Sequence, residues 1–358
     1  MTAVTQGNLG RGVGRPLRYG GGTNVLLCSV GRRSYLVHYF RQALQGKGLV
    51  IATNSTADST GMAVADQSVV ISPASDDQYL TELMGVCVKY RIKLLLSLHD
   101  WEAPFIAANL KKFRSLGVIP VVSKPAVIKL CLDKILTCMF AKRNGIAHPF
   151  TVSNLEEARK ALRTGQLKMP LIMKPRFGQG SIGVETVRDK TDLAIVYRLL
   201  MKRIESINSN RLLTAAGKDS LLFQEMIEGE EFGLDVVNDL NGKFSTCLVK
   251  RKIAMRSGET DAAETVQDNA LEEVGRRIGT ALGHVGLLDV DIIVRAGIPY
   301  LLEMNPRFGG HYPFSHMAGA NIPAALLAWA QKRKPRPEWL RVKPGIQCFK
   351  DIQLLRVK

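Results

Sequence analysis

The chain has 358 residues, 46% of them hydrophobic and 23% charged, and its 49 Lys and Arg outnumber 32 Asp and Glu to give a formal charge of +17. An apolar fraction of this size excludes a wholly disordered polymer, and no apolar run reaches the roughly 18 residues of a membrane span. The length provides for two or three domains, and the charge favours anionic ligands (nucleotides, phosphates, nucleic acid or acidic lipid heads) or describes a solvated basic surface.

Residues 1–23 are rich in Gly and Arg and lack the apolar core of a signal peptide, so they read as a flexible basic N-terminal arm. From Asn24, short apolar runs alternate with helical stretches. Val25 to Val30 reads as a buried parallel strand, followed by the turn Gly31-Arg32-Arg33-Ser34 and a helix to about Gln45. Strands are expected at Leu49 to Thr53, Val69 to Ile71, Lys93 to Ser97 and Val118 to Val122. Helices are expected over Tyr79 to Tyr90 and roughly Glu102 to Leu116. Such alternation implies a doubly wound, Rossmann-like parallel sheet over residues 24–124. Gly31 follows the first strand without the full Gly-x-Gly-x-x-Gly pattern, which leaves Arg32 and Arg33 as the only hint of an anion there.

The pattern changes after Pro125. One helix is expected over Ile128 to Asn144, with Asp133-Lys134 inside it. Strands follow at Leu171 to Pro175 and Leu221 to Ile227, then an antiparallel pair, Phe232 to Val237 and Phe244 to Lys250, around Asn241-Gly242. A helix over Leu271 to Gly283, a hairpin of Asp289 to Val294 with Tyr300 to Met304, and a helix from about Ala324 to Gln331 complete the pattern. Six cysteines show no Cys-x-x-Cys spacing and no histidine cluster, which argues against structural zinc. Most lie in apolar segments, as reduced thiols of a cytoplasmic protein would.

Three constellations carry chemistry. Lys174-Pro175 leads into a loop with Gly178, Gly180, Ser181 and Gly183, where backbone N–H groups can approach an anion unobstructed by Cβ atoms. It is not a Walker A sequence and on its own is equally an ordinary hairpin. Next, the extended segment Gln224-Glu225-Met226-Ile227-Glu228-Gly229-Glu230-Glu231 offers backbone groups to a base edge and a carboxylate a few residues on to ribose hydroxyls, although such a Glu-rich stretch is more often a solvated face. The third is the most specific. Asp291 and Glu303 lie on paired strands with Asn305 in the parity of Glu303, a hard oxygen set suited to Mg2+; Arg307 beside them suits a phosphoryl oxygen. Asp289 shares the parity of Asp291 and is a rival ligand. Acids in so apolar a hairpin need a partner.

In this order the motifs resemble the ATP-grasp superfamily, in the branch similar to the carbamoyl-phosphate synthase large subunit. Ser29-Val30-Gly31-Arg32-Arg33, His99-Asp100-Trp101-Glu102 and Asn305-Pro306-Arg307-Phe308-Gly309-Gly310-His311 resemble its opening turn, a later strand end and its closing loop, so the likeness runs from about Asn24 to Gln331. It implies an α/β fold: a pre-ATP-grasp Rossmann-like domain, residues 24–124, followed by a two-lobed α+β ATP-grasp domain, residues 125–335, with its lid at about 150–225, and a C-terminal segment, 336–358. It implies Lys134 and Lys174 on phosphates, Gly178 to Gly183 as the lid loop, Glu225 to Ile227 on adenine, Glu231 on ribose, and Asp291, Glu303 and Asn305 on Mg2+, or Mn2+ in its place. Arg307 would serve the phosphate side, and Arg251, Arg256, Glu259 and His311 a substrate, with Arg256 and Arg307 as the catalytic pair.

The implied activity is an ADP-forming ligase that uses ATP to convert a carboxylate into an acyl phosphate and passes it to an amine, with small-molecule partners, no membrane and no nucleic acid, and with a homodimer left open. Gln224 stands where several relatives carry an acid, and a single ATP unit without a glutaminase segment speaks against full carbamoyl phosphate synthesis. The alternatives are a basic nucleic-acid-associated module and a regulatory ATP-binding protein without turnover.

Overall fold

The computed structural model describes residues 22–178, 180–206, 217–352 and 354–356. The basic arm lies outside them except for its last two residues, as does Gln179 of the glycine-rich loop.

The first sheet contains β1 (Asn24–Cys28), β2 (Val50–Asn54), β3 (Gln67–Val70), β4 (Ile92–Ser97) and β5 (Ile119–Val121), all parallel, in the order β3-β2-β1-β4-β5. Its central strands are apolar on both faces because both faces are covered. Val25 and Leu27 pack with the helix Ser34–Leu44, while Leu26 and Cys28 pack with the helix Tyr79–Lys89. The helix expected over Glu102 to Leu116 is two helices, Ala103–Ala108 and Leu110–Ser115, with a break at Asn109, whose side-chain amide donates back to the Phe105 carbonyl.

The expected helix over Ile128 to Asn144 also divides, into Pro125–Leu132 and Lys134–Arg143. Asp133 leaves helical geometry between them. Its carboxylate accepts the Ile135 amide (3.0 Å) and two bonds from Arg176 (2.8 and 2.7 Å), so it caps the second helix and ties it to the strand that follows.

A small sheet of β6 (Thr151–Val152), β7 (Leu171–Pro175), β8 (Glu185–Val187) and β9 (Leu221–Glu225) runs in the order β6-β9-β7-β8, with antiparallel neighbours. It has its own core, in which Met173, Val187 and Phe223 meet Ala158, Ala161 and Leu200 from the helices Leu155–Arg163 and Lys190–Ser206. Neither helix was expected, although the first presents an apolar stripe in which Leu155 and Leu162 flank the buried Ala158 and Ala161.

The third sheet is antiparallel, with β10 (Glu230–Asn238), β11 (Phe244–Arg256), β12 (Glu259–Val266), β13 (Gly286–Arg295), β14 (Ile298–Asn305) and β15 (Gln347–Phe349) in the order β14-β13-β10-β11-β12-β15. The C-terminal segment thus contributes an edge strand to it. Alternation divides each strand between two faces. Leu234, Val236, Val249, Leu288, Val290 and Met304 enter a core beneath the helix Asn269–Leu282. The alternate residues, Asp235, Lys250, Lys252, Asp289, Asp291, Glu303 and Asn305, therefore share the opposite face. Part of that side also joins the first sheet's core: Val237, Leu248, Leu287 and Phe308 pack with Phe40 and Leu326. This shared core fixes the first sheet against the third.

Candidate active site

In the β13–β14 ladder Asp291 lies opposite Glu303 and Asp289 opposite Asn305, so pairing and parity bring all four side chains together. Each acid has a partner. Lys252 Nζ donates to Asp291 (2.6 Å), and Lys134 Nζ stands 3.7 Å from Glu303. Arg307 reaches Asp289 through Nη1 (3.1 Å) and forks onto Asp100, at the end of β4, through Nε (3.0 Å) and Nη2 (3.1 Å). His311 lies between Asp289 and Asp235, and Asp235 accepts from the fully buried Lys250 (2.6 Å) and from Ser315 (2.6 Å).

These partners set the protonation states. Burial works against the charge on Asp289, but His311 and Arg307 outweigh it and hold the carboxyl well below the usual range. Burial likewise opposes Glu303, where Lys134 and Lys174 prevail and lower it. At Asp291 burial wins and raises the carboxyl, despite Lys252. His311 is raised: burial disfavours the imidazolium, and Asp289 and Asp235 together outweigh it. Gly309 leaves room for Asp289 against the loop after β14, since a Cβ there would stand 2.3 Å from the carboxylate carbon.

A cleft of about 330 Å3 opens between the small sheet and the third sheet. Lys134, Lys174, Gly178, Gly180, Ser181, Glu225, Met226, Ile227, Glu231, Asp291 and Glu303, all singled out in the sequence, line it together. Lys134 Nζ also donates to the Gly178 carbonyl (2.8 Å), linking the loop to the acid pair below. Lys174 is buried and has no acid bonded to it. Burial and the neighbouring Lys134 push it down to about 8. Glu225 is held by Arg295 (3.1 Å) and the Phe150 amide (3.3 Å), and its own amide donates to the Phe150 carbonyl. Gln224, where an acid was noted in relatives, donates to Thr151 (2.8 Å). Asn305 is buried just beyond and donates to Glu303 (3.4 Å).

Four expected residues, Gly183, Arg251, Arg256 and Glu259, do not line the cleft; Gly183 instead faces Pro175 and Leu200. Arg251 has the parity of Val249, points to the other side of the sheet and pairs with Glu264 across β12 (2.7 Å). Arg256, expected to be catalytic, pairs with Asp261 (2.6 Å) at a half-exposed position outside the cleft. Two register shifts between Lys252 and Met255 reverse the alternation, so Met255 lines the cleft in its place. Glu259 is half-exposed and lies near Lys350 (3.5 Å). Sequence reasoning missed Lys252. The repeat of basic residues at Lys250 and Lys252, in step with the buried acids of β13, was the available signal.

Comparison with known proteins gives the family. Residues 131–311, half of the chain, match the model of the ATP-grasp domain, and residues 25–122 match that of the PylC-like N-terminal domain. The chain belongs to the ATP-grasp family. It is similar to the carbamoyl phosphate synthase large chain of Mesorhizobium japonicum, 23% identical over 308 residues, which cover 76% of this chain and 25% of that one. The chain therefore spans about a quarter of the length of that relative. Among solved structures it resembles the biotin carboxylase domain dimer of 2-oxoglutarate carboxylase from Hydrogenobacter thermophilus, solved with MgADP, ADP and bicarbonate (TM-score 0.69, 18% identity, 89% of this chain and 72% of that one). It also resembles an L-amino acid ligase from Bacillus licheniformis (TM-score 0.65, 18% identity, 90% and 78%). At these identities the likeness is one of fold.

Proposed function

We propose that the chain is an ADP-forming, Mg2+-dependent carboxylate–amine ligase. The observation that carries this reading is the convergence of Lys134, Lys174, Asp291 and Glu303 on one cleft under the glycine-rich loop. Two cations and two acids there suit a polyphosphate and a hard divalent cation. Carboxylate oxygens with an amide oxygen are the donor set Mg2+ takes, and Glu303, Asn305 and Asp291 fit it. Asp291 is preferred to Asp289, because Asp289 is held by Arg307 and His311 away from the cleft. When bound, the metal would neutralise phosphate charge.

The rest is positioning by the chain's own residues. Lys134 and Lys174 hold the phosphates, and the backbone at Gly178, Gly180, Ser181 and Gly183 covers them. The Glu225–Ile227 backbone takes the adenine edge and Glu231 the ribose. A carboxylate oxygen attacks the γ-phosphorus and the bond to the β–γ bridging oxygen breaks, giving an acyl phosphate and ADP. The amine nitrogen then attacks the acyl carbon, the carbon–oxygen bond to phosphate breaks, and the amine loses a proton to solvent. Arg307 lies outside the cleft lining on Asp100 and Asp289, and would turn from those acids to stabilise the transferring phosphoryl oxygens.

The test is ADP and phosphate release, screened over pools of carboxylic acids and amines with Mg2+ and ATP. ADP that appears only when both substrates are present supports the reading. AMP and pyrophosphate as products would overturn it.

A further inference from the structure

A second cavity lies at the carboxyl ends of β1 to β4. Open α/β sheets bind ligands beyond their strand ends, where successive connections leave in opposite directions, and in this sheet that place is between β1 and β4. A groove of about 510 Å3 occupies it, within the usual size of small-molecule sites.

The groove is amphipathic. Ile71 and Pro73, after β3, line it with Trp101 and Phe105, after β4. Glu102 also lines it, 1% exposed, and accepts the hydroxyls of Ser29 (2.9 Å) and Ser97 (2.8 Å). No Lys, Arg or His is paired with Glu102 among the described residues, and burial raises its carboxyl. A buried carboxylate held by hydroxyls alone is costly to charge, and an incoming cation relieves that cost. Ser29 has a φ of 49°, a left-handed backbone rare for a residue with a Cβ, and it is held where its hydroxyl meets Glu102. The buried Thr53 hydroxyl on the same lining finds no hydrogen-bond partner among the described residues. Arg33 lines the groove and forms no ion pair among the described residues.

A lone acid, a free guanidinium and apolar walls match a zwitterion with an apolar body. We propose that this groove binds the amine co-substrate, an α-amino acid with a large apolar side chain. Its ammonium lies over Glu102, its carboxylate toward Arg33, and its side chain between the Ile71 and Phe105 walls. The term co-substrate rests on the ligase reading; the binding does not. Asp100, in the same loop as Trp101 and Glu102, grips Arg307, which sets the groove beside the proposed reaction centre.

The test is equilibrium dialysis of the full chain, without nucleotide, against L-phenylalanine, 2-phenylethylamine, 3-phenylpropionate and glycine. L-phenylalanine should bind, each one-charge analogue about tenfold more weakly, and glycine not detectably. Glu102→Gln should weaken L-phenylalanine about tenfold, and Ala74→Trp, which fills the groove from its lining, should abolish its binding. Both variants should keep the thermal shift produced by MgATP. No binding of L-phenylalanine, or binding indifferent to Ala74→Trp, would overturn the proposal. Binding here with no ADP release from any carboxylate and amine would keep the groove and sink the ligase reading. ADP release with an amine that does not compete with L-phenylalanine would do the reverse.

Discussion

The two walls of the proposed nucleotide cleft are built on opposite plans. On the third sheet nearly every charge already has its counter-charge: Lys252 with Asp291, Lys134 with Glu303, Arg307 with Asp100 and Asp289. On the small sheet Lys174 is buried without an acid, and the loop after it offers backbone. The first wall is organised before a ligand arrives, whereas the second is completed by one. The proposed metal ligands accordingly sit on the wall anchored by a shared core, and the glycine-rich loop on a sheet with a core of its own.

Changes to the preorganised wall should cost most. Glu303→Gln should fold and lose turnover by roughly a thousandfold, with metal-dependent nucleotide binding weakened. Wild-type rates in that variant would move the metal site elsewhere. Arg307→Ala should lower both activity and stability, the latter by about 3 kcal/mol in denaturant unfolding, because Asp100 and Asp289 are left buried without their cation. Lysine there should not restore activity, since it cannot make the fork onto Asp100. An unchanged denaturation midpoint for Arg307→Ala would show that the network is not needed for folding.

The covering wall should respond in rate more than in stability. Gly258 has a φ of 77°, and a Cβ on it would stand 2.4 Å from the Gly180 carbonyl oxygen, so the β11–β12 turn touches the loop directly. Gly258→Val should lower turnover about tenfold and reduce the ATP-dependent hydrogen-exchange protection of residues 176–184. Equal protection with and without ATP in the wild type would make the loop a static hairpin.

Lys174 gives the pH dependence. Its folded value of about 8 lies below that of an unfolded lysine, so between about 8 and the ordinary lysine range the unfolded chain holds a proton that the folded one has lost. Stability therefore gains a rising contribution with pH across that window, and nucleotide affinity, which needs the charged form, falls by up to roughly tenfold per unit above pH 8. Calorimetry in buffers of different ionisation enthalpy should detect proton uptake on binding at pH 9. None at all would mean that Lys174 is already charged or does not meet phosphate. The smallest effect should be that of Arg256→Ala, with turnover changed by no more than about twofold, because its partner is Asp261 at the surface. A hundredfold loss would return Arg256 to the catalytic set.

The sequence showed the parallel sheet and the β13–β14 hairpin because both are signalled locally: doubly buried strands as continuous apolar runs, the hairpin by its alternation around Ala296-Gly297. The metal-ligand candidates followed from parity, which the observed register preserves across Asp291 and Glu303. What was hidden depends on contacts far apart in the chain. Asp133 breaks a helix because Arg176, 43 residues on, takes its carboxylate. Arg256 leaves the cleft because irregular pairing with β12 reverses the strand's alternation, and no periodicity reports a bulge. The helix Leu155–Arg163 is the exception: its stripe of Leu155, Ala158, Ala161 and Leu162 was legible and was missed.

The Asp100–Arg307 fork makes the cleft and the groove of the first sheet interdependent. Asp100 belongs to the four-residue turn that also carries His99, Trp101 and Glu102, so the guanidinium assigned to phosphate also braces the groove. A phosphate that draws Arg307 from Asp100 loosens that turn, and an amino acid that orders the turn returns Asp100 to Arg307. Two ligands that compete for one brace are heterotropically linked. Whatever factor ATP imposes on amino acid affinity, the amino acid must impose on ATP, since equilibrium binding admits no one-way influence. Replacing Asp100 with asparagine should therefore change the coupling between the two proposed ligands without altering either proposed binding surface.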